Sequence, residues 1–316
     1  MNFDVNDRLI LRVKHGSHAY GLNTPSSDLD IKGICIEPKE YYLGFLHKFE
    51  QVEKMAHKGY DHDEVIFSLQ KFMHLAAECN PNIIEILHVD ESDVLFQDAW
   101  GQELRDMRDD FISRKARHTF SGYAHAQLKR IKTHRAWLLS PPKSPPSRKD
   151  YGLSEQIKIS KSKLGAFEAL VGDGVIDDKA PDHVTELYIK ERTYQSAKQH
   201  WEQYQNWKKT RNPARAALEE KFGLDTKHAM HLIRLMRMCK EIMLTGKVFV
   251  KRPDRDELLS IRNGAWEYDR IVSYAEELDA ECAELYDVSD LPHEPQRELI
   301  DARCVEMITS YLRHKP

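Results

Sequence analysis

The order of elements near the N-terminus constrains the fold more than any other feature of the chain. Residues 9–13 form a short apolar run that is typical of a buried strand, and Gly16 and Ser17 follow it in a turn. Residues 29–36 alternate in polarity and predict a second strand, which begins beside Asp28 and Asp30. Because side chains on a strand repeat every two residues, we expect both carboxylates on one face at one end of a sheet.

Two carboxylates on one face need a counter-charge, since they repel each other and are costly to bury unpaired. Carboxylate oxygens suit Mg²⁺ or Mn²⁺, which also bind the phosphate oxygens of a substrate. Glycine at position 16 lets the backbone approach a phosphate closely. The N–H groups of such a turn, together with the Ser17 hydroxyl, can hold the terminal phosphates of a nucleoside triphosphate. The pattern therefore favours metal-dependent nucleotidyl transfer, with Asp28 and Asp30 as catalytic metal ligands.

A two-metal site needs a third carboxylate, which holds a metal and draws the proton from the attacking hydroxyl. We predict that Asp63, just before a third apolar run at 65–67, is this residue. Its neighbours Asp61 and Glu64 could take the same role. A lone Asp-x-Asp is a weak indication, whereas a strand, a Gly-Ser turn and Asp-x-Asp on the next strand form a much stronger one.

The rest of the chain is mostly helical in pattern. Residues 69–78 place apolar side chains at helical spacing, and helical runs continue after about residue 101, with turn-rich breaks at 140–147 and 172–181. The expected fold class is α+β. We predict a small α/β catalytic head over 1–105 and a mostly helical domain over 106–316, with a basic, proline-containing insertion at about 112–164.

Charge is distributed unevenly along the chain. Residues 112–164 contain thirteen lysines and arginines and two acidic residues, a local net charge of +11 in a chain whose formal net charge is −4. Such asymmetry indicates a polyanionic partner such as RNA, or else an ordinary solvated basic loop. Basic and aromatic side chains interleave from Arg114 to Arg135, as in surfaces that bind a nucleic-acid backbone and stacked bases.

Composition narrows the class of protein. Hydrophobic residues make up 41% and charged residues 31%, which is typical of a globular protein and not of a disordered one. No apolar run approaches the ~20 residues that a membrane span needs, and no secretory signal segment is expected at the N-terminus. The five scattered cysteines favour free thiols in the cytoplasm.

Residues 14–38 read KHGSHAYGLNTPSSDLDIKGICIEP. This segment resembles the RlaP-like branch of the DNA polymerase β superfamily, in which Gly-Ser, a basic residue, Ala-Tyr-Gly-Leu and a Ser-Asp-rich turn precede Asp-x-Asp. Residues 67–87, 225–235 and 250–266 resemble later blocks of the same branch, so the similarity covers most of the chain in order. The departures are His18, where arginine is common, and the basic region 135–163.

The resemblance implies transfer of a nucleoside monophosphate from an NTP to a hydroxyl, with release of pyrophosphate. Asp28 and Asp30 would bind both metals, and Asp63, six positions before Leu69, would bind the catalytic metal and act as the base. Gly16 and Ser17 would hold the β- and γ-phosphates. The branch takes its name from RNA repair, which makes an RNA end, such as that of a tRNA, the natural acceptor.

Lys227 and Arg234 lie on one face of a predicted helix over 226–244. They are candidates to bind the triphosphate or the acceptor backbone, and the alternative is an ordinary solvated helix face. Two other functions stay open from the sequence. One is transfer to a protein hydroxyl, as in toxin-like members of the superfamily, and the other is a nucleotide- or RNA-binding module without catalysis.

Overall fold

The computed structural model describes residues 3–25, 27–156, 159–173 and 182–315. Five strands in these ranges form one sheet: β1 (Leu9–His15), β2 (Asp30–Cys35), β3 (Gln51–Lys54), β4 (Asp63–Ser68) and β5 (Val94–Gln97). The α-helices of the described residues are α1 (Gly16–Ala19), α2 (Glu40–Leu43), α3 (Leu69–Ala77), α4 (Pro81–Leu87), α5 (Ala99–Asp106), α6 (Lys115–Leu139), α7 (Lys161–Gly172), α8 (Asp182–Thr210), α9 (Pro213–Phe222), α10 (Thr226–Thr245), α11 (Arg255–Arg262), α12 (Tyr268–Val288) and α13 (Arg297–His314).

The strands of the sheet lie in the order β3-β4-β2-β1-β5. β2 and β4 run parallel, and the other neighbouring pairs run antiparallel. The predicted α+β class is confirmed, and the three predicted strands are β1, β2 and β4. The edge strands β3 and β5 were not predicted. Each has four residues with no fully buried side chain, so neither shows the alternation that marks a half-buried strand.

The sheet is stabilised by an apolar layer between it and the helices that follow each strand. Ile10, Leu11 and Val13 of β1 are fully buried, as are Ile34 of β2 and Ile66 of β4. α3 packs on β2 and β4, α4 packs on β1, and α5 packs on β1 and β5. These contacts cover the sheet with the helices of the same unit.

Local side-chain caps explain where the helices begin. The Ser68 hydroxyl accepts the Lys71 N–H at the start of α3, and the Asn80 side chain accepts the Asn82 N–H at the start of α4. Pro81 occupies the first turn of α4, where its missing N–H leaves no bond unmade. The Asp225 carboxylate accepts the His228 N–H and so fixes the start of α10.

The chain divides into two compact units. The first comprises residues 1–131 and 224–316, and the second comprises residues 132–223. The boundary predicted at residue 105 falls inside the first unit, because the chain returns after residue 223 to add helices to it. Among these, α10 packs on α11 and α12, and α13 packs on α3. The break predicted at 140–147 has no regular structure, and most of the break at 172–181 lies outside the described residues.

The second unit contains a buried ion pair. The Arg148 guanidinium donates from Nη1 and Nη2 to the two carboxylate oxygens of Glu191, each at 2.8 Å, and Glu191 is fully buried. Elsewhere, all five cysteines are buried free thiols. No helix in the described ranges is long and apolar enough to cross a membrane.

Candidate active site

Three polar side chains occupy one row at one end of the sheet. Asp30 of β2 is the register partner of His15 on β1 and of Asp63 on β4. Because β2 and β4 are adjacent, the Cα atoms of Asp30 and Asp63 lie about 5 Å apart with their side chains on one face. Parallel pairing of β2 and β4 thus brings together two carboxylates that are far apart in the sequence.

Charged side chains of both signs surround the Asp30 carboxylate. Asp28 is exposed and lies just before β2, which begins at Asp30, one residue later than predicted. Burial raises the pKa of Asp30; the cations of Lys32 and Lys227 oppose this rise, and the anions of Asp63 and Asp28 add to it. The three predicted carboxylates therefore interact with one another electrostatically. Such mutual repulsion is what a divalent cation relieves.

The turn after β1 lies directly against this cluster. Gly16 has φ of +62°, and a Cβ at this position would lie 2.5 Å from Oδ2 of Asp30. The left-handed backbone favours glycine, and any side chain at this position would displace the Asp30 carboxylate. Ser17 follows in α1 and is partly exposed, and the N–H of Leu22 donates to its carbonyl at 2.8 Å. Gly16 thus lies beside Asp30, and Ser17 is the next residue of the turn.

Asp63 differs from Asp61 and Glu64 in what surrounds its carboxylate. Oδ1 of Asp63 accepts the N–H of Ala56 at 2.7 Å, while Oδ2 makes no hydrogen bond among the described residues. The Glu64 carboxylate is buried on the opposite face, where it pairs with Arg12 at 2.7 Å and Lys54 at 2.9 Å. Asp61 is exposed and precedes β4. Of the three acids, Asp63 is the one paired with Asp30.

Lys32 belongs to the same cluster, and the sequence reasoning missed it. It follows Asp30 by two residues on β2, so its side chain points to the same face. Burial lowers the pKa of Lys32, and the carboxylates of Asp30, Asp63 and Glu53 oppose that shift. Its ammonium makes no hydrogen bond or ion pair within the described ranges. The alternation of residues 29–36 would have revealed it.

Of the two predicted cations on α10, Lys227 acts on the carboxylate cluster, whereas Arg234 lies in the protein interior. The charge of Lys227, in the first turn, opposes the raised pKa of Asp30 and so acts on that carboxylate. Arg234 is 4% exposed, and its Nη1 donates to Glu85 at 2.5 Å. Its Cζ lies 3.8 Å from the ring centroid of Tyr20. Lys227 thus accompanies the carboxylates, whereas the guanidinium of Arg234 is used within the protein interior.

Part of the predicted basic surface is also used in internal contacts. Arg114 donates to the Leu291 carbonyl at 2.9 Å, and Lys115 and Arg117 pair with carboxylates at 2.6 and 3.0 Å. Lys129 and Arg130 on α6 are exposed and have no ion-pair partner in the described part of the chain. Within the first unit, these two are better placed than the other three to meet a polyanion.

Two curated proteins are similar to part of this chain. The chain is 24% identical over 156 residues to the uncharacterized protein YcgL of Bacillus subtilis (strain 168), an alignment that covers 49% of this chain and 51% of YcgL. It is 28% identical over 130 residues to an uncharacterized 38.9 kDa protein from the nrdC-mobD intergenic region of Enterobacteria phage T4, with 38% of each chain covered. The alignments thus span about half or less of these relatives.

No solved structure matches the chain. The family model that does match is RlaP, described as the RNA repair pathway DNA polymerase beta family, and it covers residues 2–139. That range contains β1 to β5, the Gly16 turn and all three predicted carboxylates. Residues 2–139 therefore match the model of the RNA repair pathway DNA polymerase beta family, in agreement with the resemblance of residues 14–38.

Proposed function

We propose that this protein is a nucleotidyltransferase that moves a nucleoside monophosphate from an NTP to a hydroxyl of RNA and releases pyrophosphate. The observation that carries the proposal is the register of Asp30 with Asp63, with Gly16 packed against the Asp30 carboxylate. Carboxylates paired across two strands beside a glycine turn can hold metal and triphosphate next to each other. A binding module without catalysis has no need of this arrangement.

The donor set fits Mg²⁺ or Mn²⁺. Asp28, Asp30 and Asp63 offer only hard oxygen ligands. Burial and the two other carboxylates raise the pKa of Asp30, and a bound cation would relieve this unfavourable interaction of its charged form. When bound, the metal would supply Lewis-acid stabilisation of charge on the transferred phosphoryl group. The same three residues are therefore proposed as its ligands.

The side chains around the carboxylates have separate proposed roles. The turn of Gly16 and Ser17 would hold the β- and γ-phosphates through backbone N–H groups and the serine hydroxyl. Asp63 would accept the proton of the attacking hydroxyl through the oxygen that lacks a hydrogen bond. Lys227 and Lys32 would offset the negative charge of the triphosphate. Arg234 has no place in this proposal, since Glu85 already binds its guanidinium.

RNA is the proposed acceptor for two reasons. The description of the matched family names an RNA repair pathway. In addition, Lys129 and Arg130 present exposed positive charge on α6, within the basic segment. The five reduced cysteines fit the cytoplasm as the place where the reaction would occur.

The test is incubation with each of the four α-labelled NTPs, Mg²⁺ or Mn²⁺, and bulk tRNA. The Asp28→Asn/Asp30→Asn variant should lose all transfer and keep its fold, as judged by circular dichroism. Asp287→Asn, an exposed carboxylate on α12, is the matched control and should transfer at the wild-type rate.

Label on RNA that depends on metal and on the carboxylates would support the whole proposal. Label on protein alone would replace RNA by a protein hydroxyl as the acceptor. Transfer that survives in the double variant would refute the assignment of the metal ligands.

A further inference from the structure

A buried polar cluster lies behind the Gly16 turn and includes no member of the proposed metal site. We propose that Tyr20, Glu85 and Arg234 are positioning residues, which hold the turn of Gly16 and Ser17 in the shape that accepts the triphosphate. This inference rests on the proposed function and adds the means by which the NTP-binding turn is kept in place. It also gives a role to Arg234, whose exposure is too low for direct contact with substrate.

Glu85 bonds to both of the other side chains in this cluster. Glu85 on α4 is 0% exposed, its Oε2 accepts the Tyr20 hydroxyl at 2.5 Å, and its Oε1 accepts Nη1 of Arg234 at 2.5 Å. The Arg234 guanidinium also stacks on the Tyr20 ring at 3.8 Å. Each member thus contacts the other two, although they come from three distant segments of the chain.

Tyr20 connects this cluster to the turn through the backbone. Its N–H donates to the Gly16 carbonyl at 3.1 Å, and its own carbonyl accepts the N–H of Arg252 at 3.1 Å. A shift of the Tyr20 side chain would therefore move Gly16, whose α-carbon already lies against the Asp30 carboxylate.

The cluster also reaches the other side of the site. Arg234 lies two turns after Lys227 on α10, so the contact with Glu85 fixes the position of the helix that carries this lysine. A buried ion pair adds little stability compared with apolar packing of the same volume. Its distinct property is directional: the planar guanidinium and the carboxylate accept only a narrow set of relative positions.

The experiment compares Tyr20→Phe with Tyr311→Phe. Both residues are buried, and both changes remove one hydroxyl. Tyr311 packs against Trp100, and the described residues show no hydrogen bond from its hydroxyl. Affinity is measured by fluorescence titration with labelled NTPs in Ca²⁺, which avoids turnover, using the NTP that the wild type binds most tightly. Melting temperature is measured alongside.

We expect Tyr20→Phe to weaken NTP binding by about tenfold, the scale of one lost hydrogen bond to a charged group. The KM for NTP should rise by a similar factor, whereas kcat at saturating NTP should change less than KM. Tyr311→Phe should bind as the wild type does. Arg234→Lys, which keeps the charge but loses the planar fork, should weaken binding in the same way and serves if Tyr20→Phe is poorly folded.

NTP affinity in Tyr20→Phe within twofold of the wild type would overturn the inference, as would an equal loss in Tyr311→Phe. These outcomes leave the proposed function intact, because they require a wild type that binds NTP. A wild type that binds none of the four NTPs would overturn the proposed function and this inference together.

Discussion

Gly16 offers the sharpest single test of the site. Its φ is +62°, and an added Cβ would lie 2.5 Å from Oδ2 of Asp30. An ordinary contact needs about 3.5 Å. In Gly16→Ala, the turn and the Asp30 carboxylate must therefore separate by about 1 Å.

The expected magnitude has two parts. Alanine in the left-handed region costs roughly 1–2 kcal/mol of stability, whatever its surroundings. The displacement acts on catalysis, because a misplacement of about 1 Å at a reacting group costs on the order of 100-fold in rate. We therefore expect Gly16→Ala to lose about 100-fold in kcat/KM and roughly 1–2 kcal/mol of stability.

Gly246→Ala separates these two effects. Gly246 has φ of +69° at the end of α10, and an added Cβ would lie 3.4 Å from a Leu291 methyl group, which is an ordinary contact. Both variants carry the same backbone cost, and both positions belong to the first unit. Urea midpoints measure stability, and initial rates of label transfer to RNA measure activity.

We expect similar losses of stability in the two variants and very different activities. Gly16→Ala with activity near that of the wild type would show that the turn and Asp30 do not act together. An equal loss of activity in Gly246→Ala would assign the effect to backbone strain instead of to the contact with Asp30.

Three further predictions concern stability. Because burial raises the pKa of Asp30, its charged form is destabilising in metal-free protein, and stability from this group returns as pH falls towards the ordinary pKa of an aspartate. Asp30→Asn should therefore raise the melting temperature without metal; a lower value in calorimetry would contradict this. Burial lowers the pKa of His15 and of His88 to about 4, so the unfolded chain takes up protons first as pH falls below 6.5. Between pH 6.5 and about pH 4, each of these two histidines should lower the free energy of unfolding by about 1.4 kcal/mol per pH unit. In His88→Gln, the urea midpoint should therefore fall less steeply as the pH is lowered. Glu191→Ala removes the carboxylate that pairs with the buried Arg148 guanidinium and should cost about 3–5 kcal/mol in the second unit, whereas Arg148→Met/Glu191→Leu should recover most of it, as judged by denaturant unfolding.

Local pattern was sufficient for several elements of the fold. The helix predicted over 226–244 is α10, Thr226–Thr245, because a capping aspartate and a terminal glycine bound an apolar periodicity. The strand predicted over 29–36 is Asp30–Cys35. The edge strands β3 and β5 escaped prediction, since their pairing depends on neighbours and not on their own side-chain pattern.

The division of the chain into compact units was harder to predict from the sequence than its strands and helices. A change from mixed to helical pattern near residue 101 led us to expect a boundary at 105, but helices from beyond residue 223 pack into the first unit. Helical periodicity shows that a face is apolar and does not show which distant element covers it.

The residue types of the candidate site could be predicted from the sequence: a Gly-Ser turn after one strand, Asp28 and Asp30 near the start of the next, and a further acid before the third. The tertiary structure shows how Asp63 reaches Asp30: parallel pairing of β2 with β4 places the two in register and turns Glu64 to the other face. It also separated Lys227 from Arg234, which share a helix. The physical reason is that the environment of a side chain depends on segments remote in the sequence, here Tyr20 and Glu85, which no local pattern specifies.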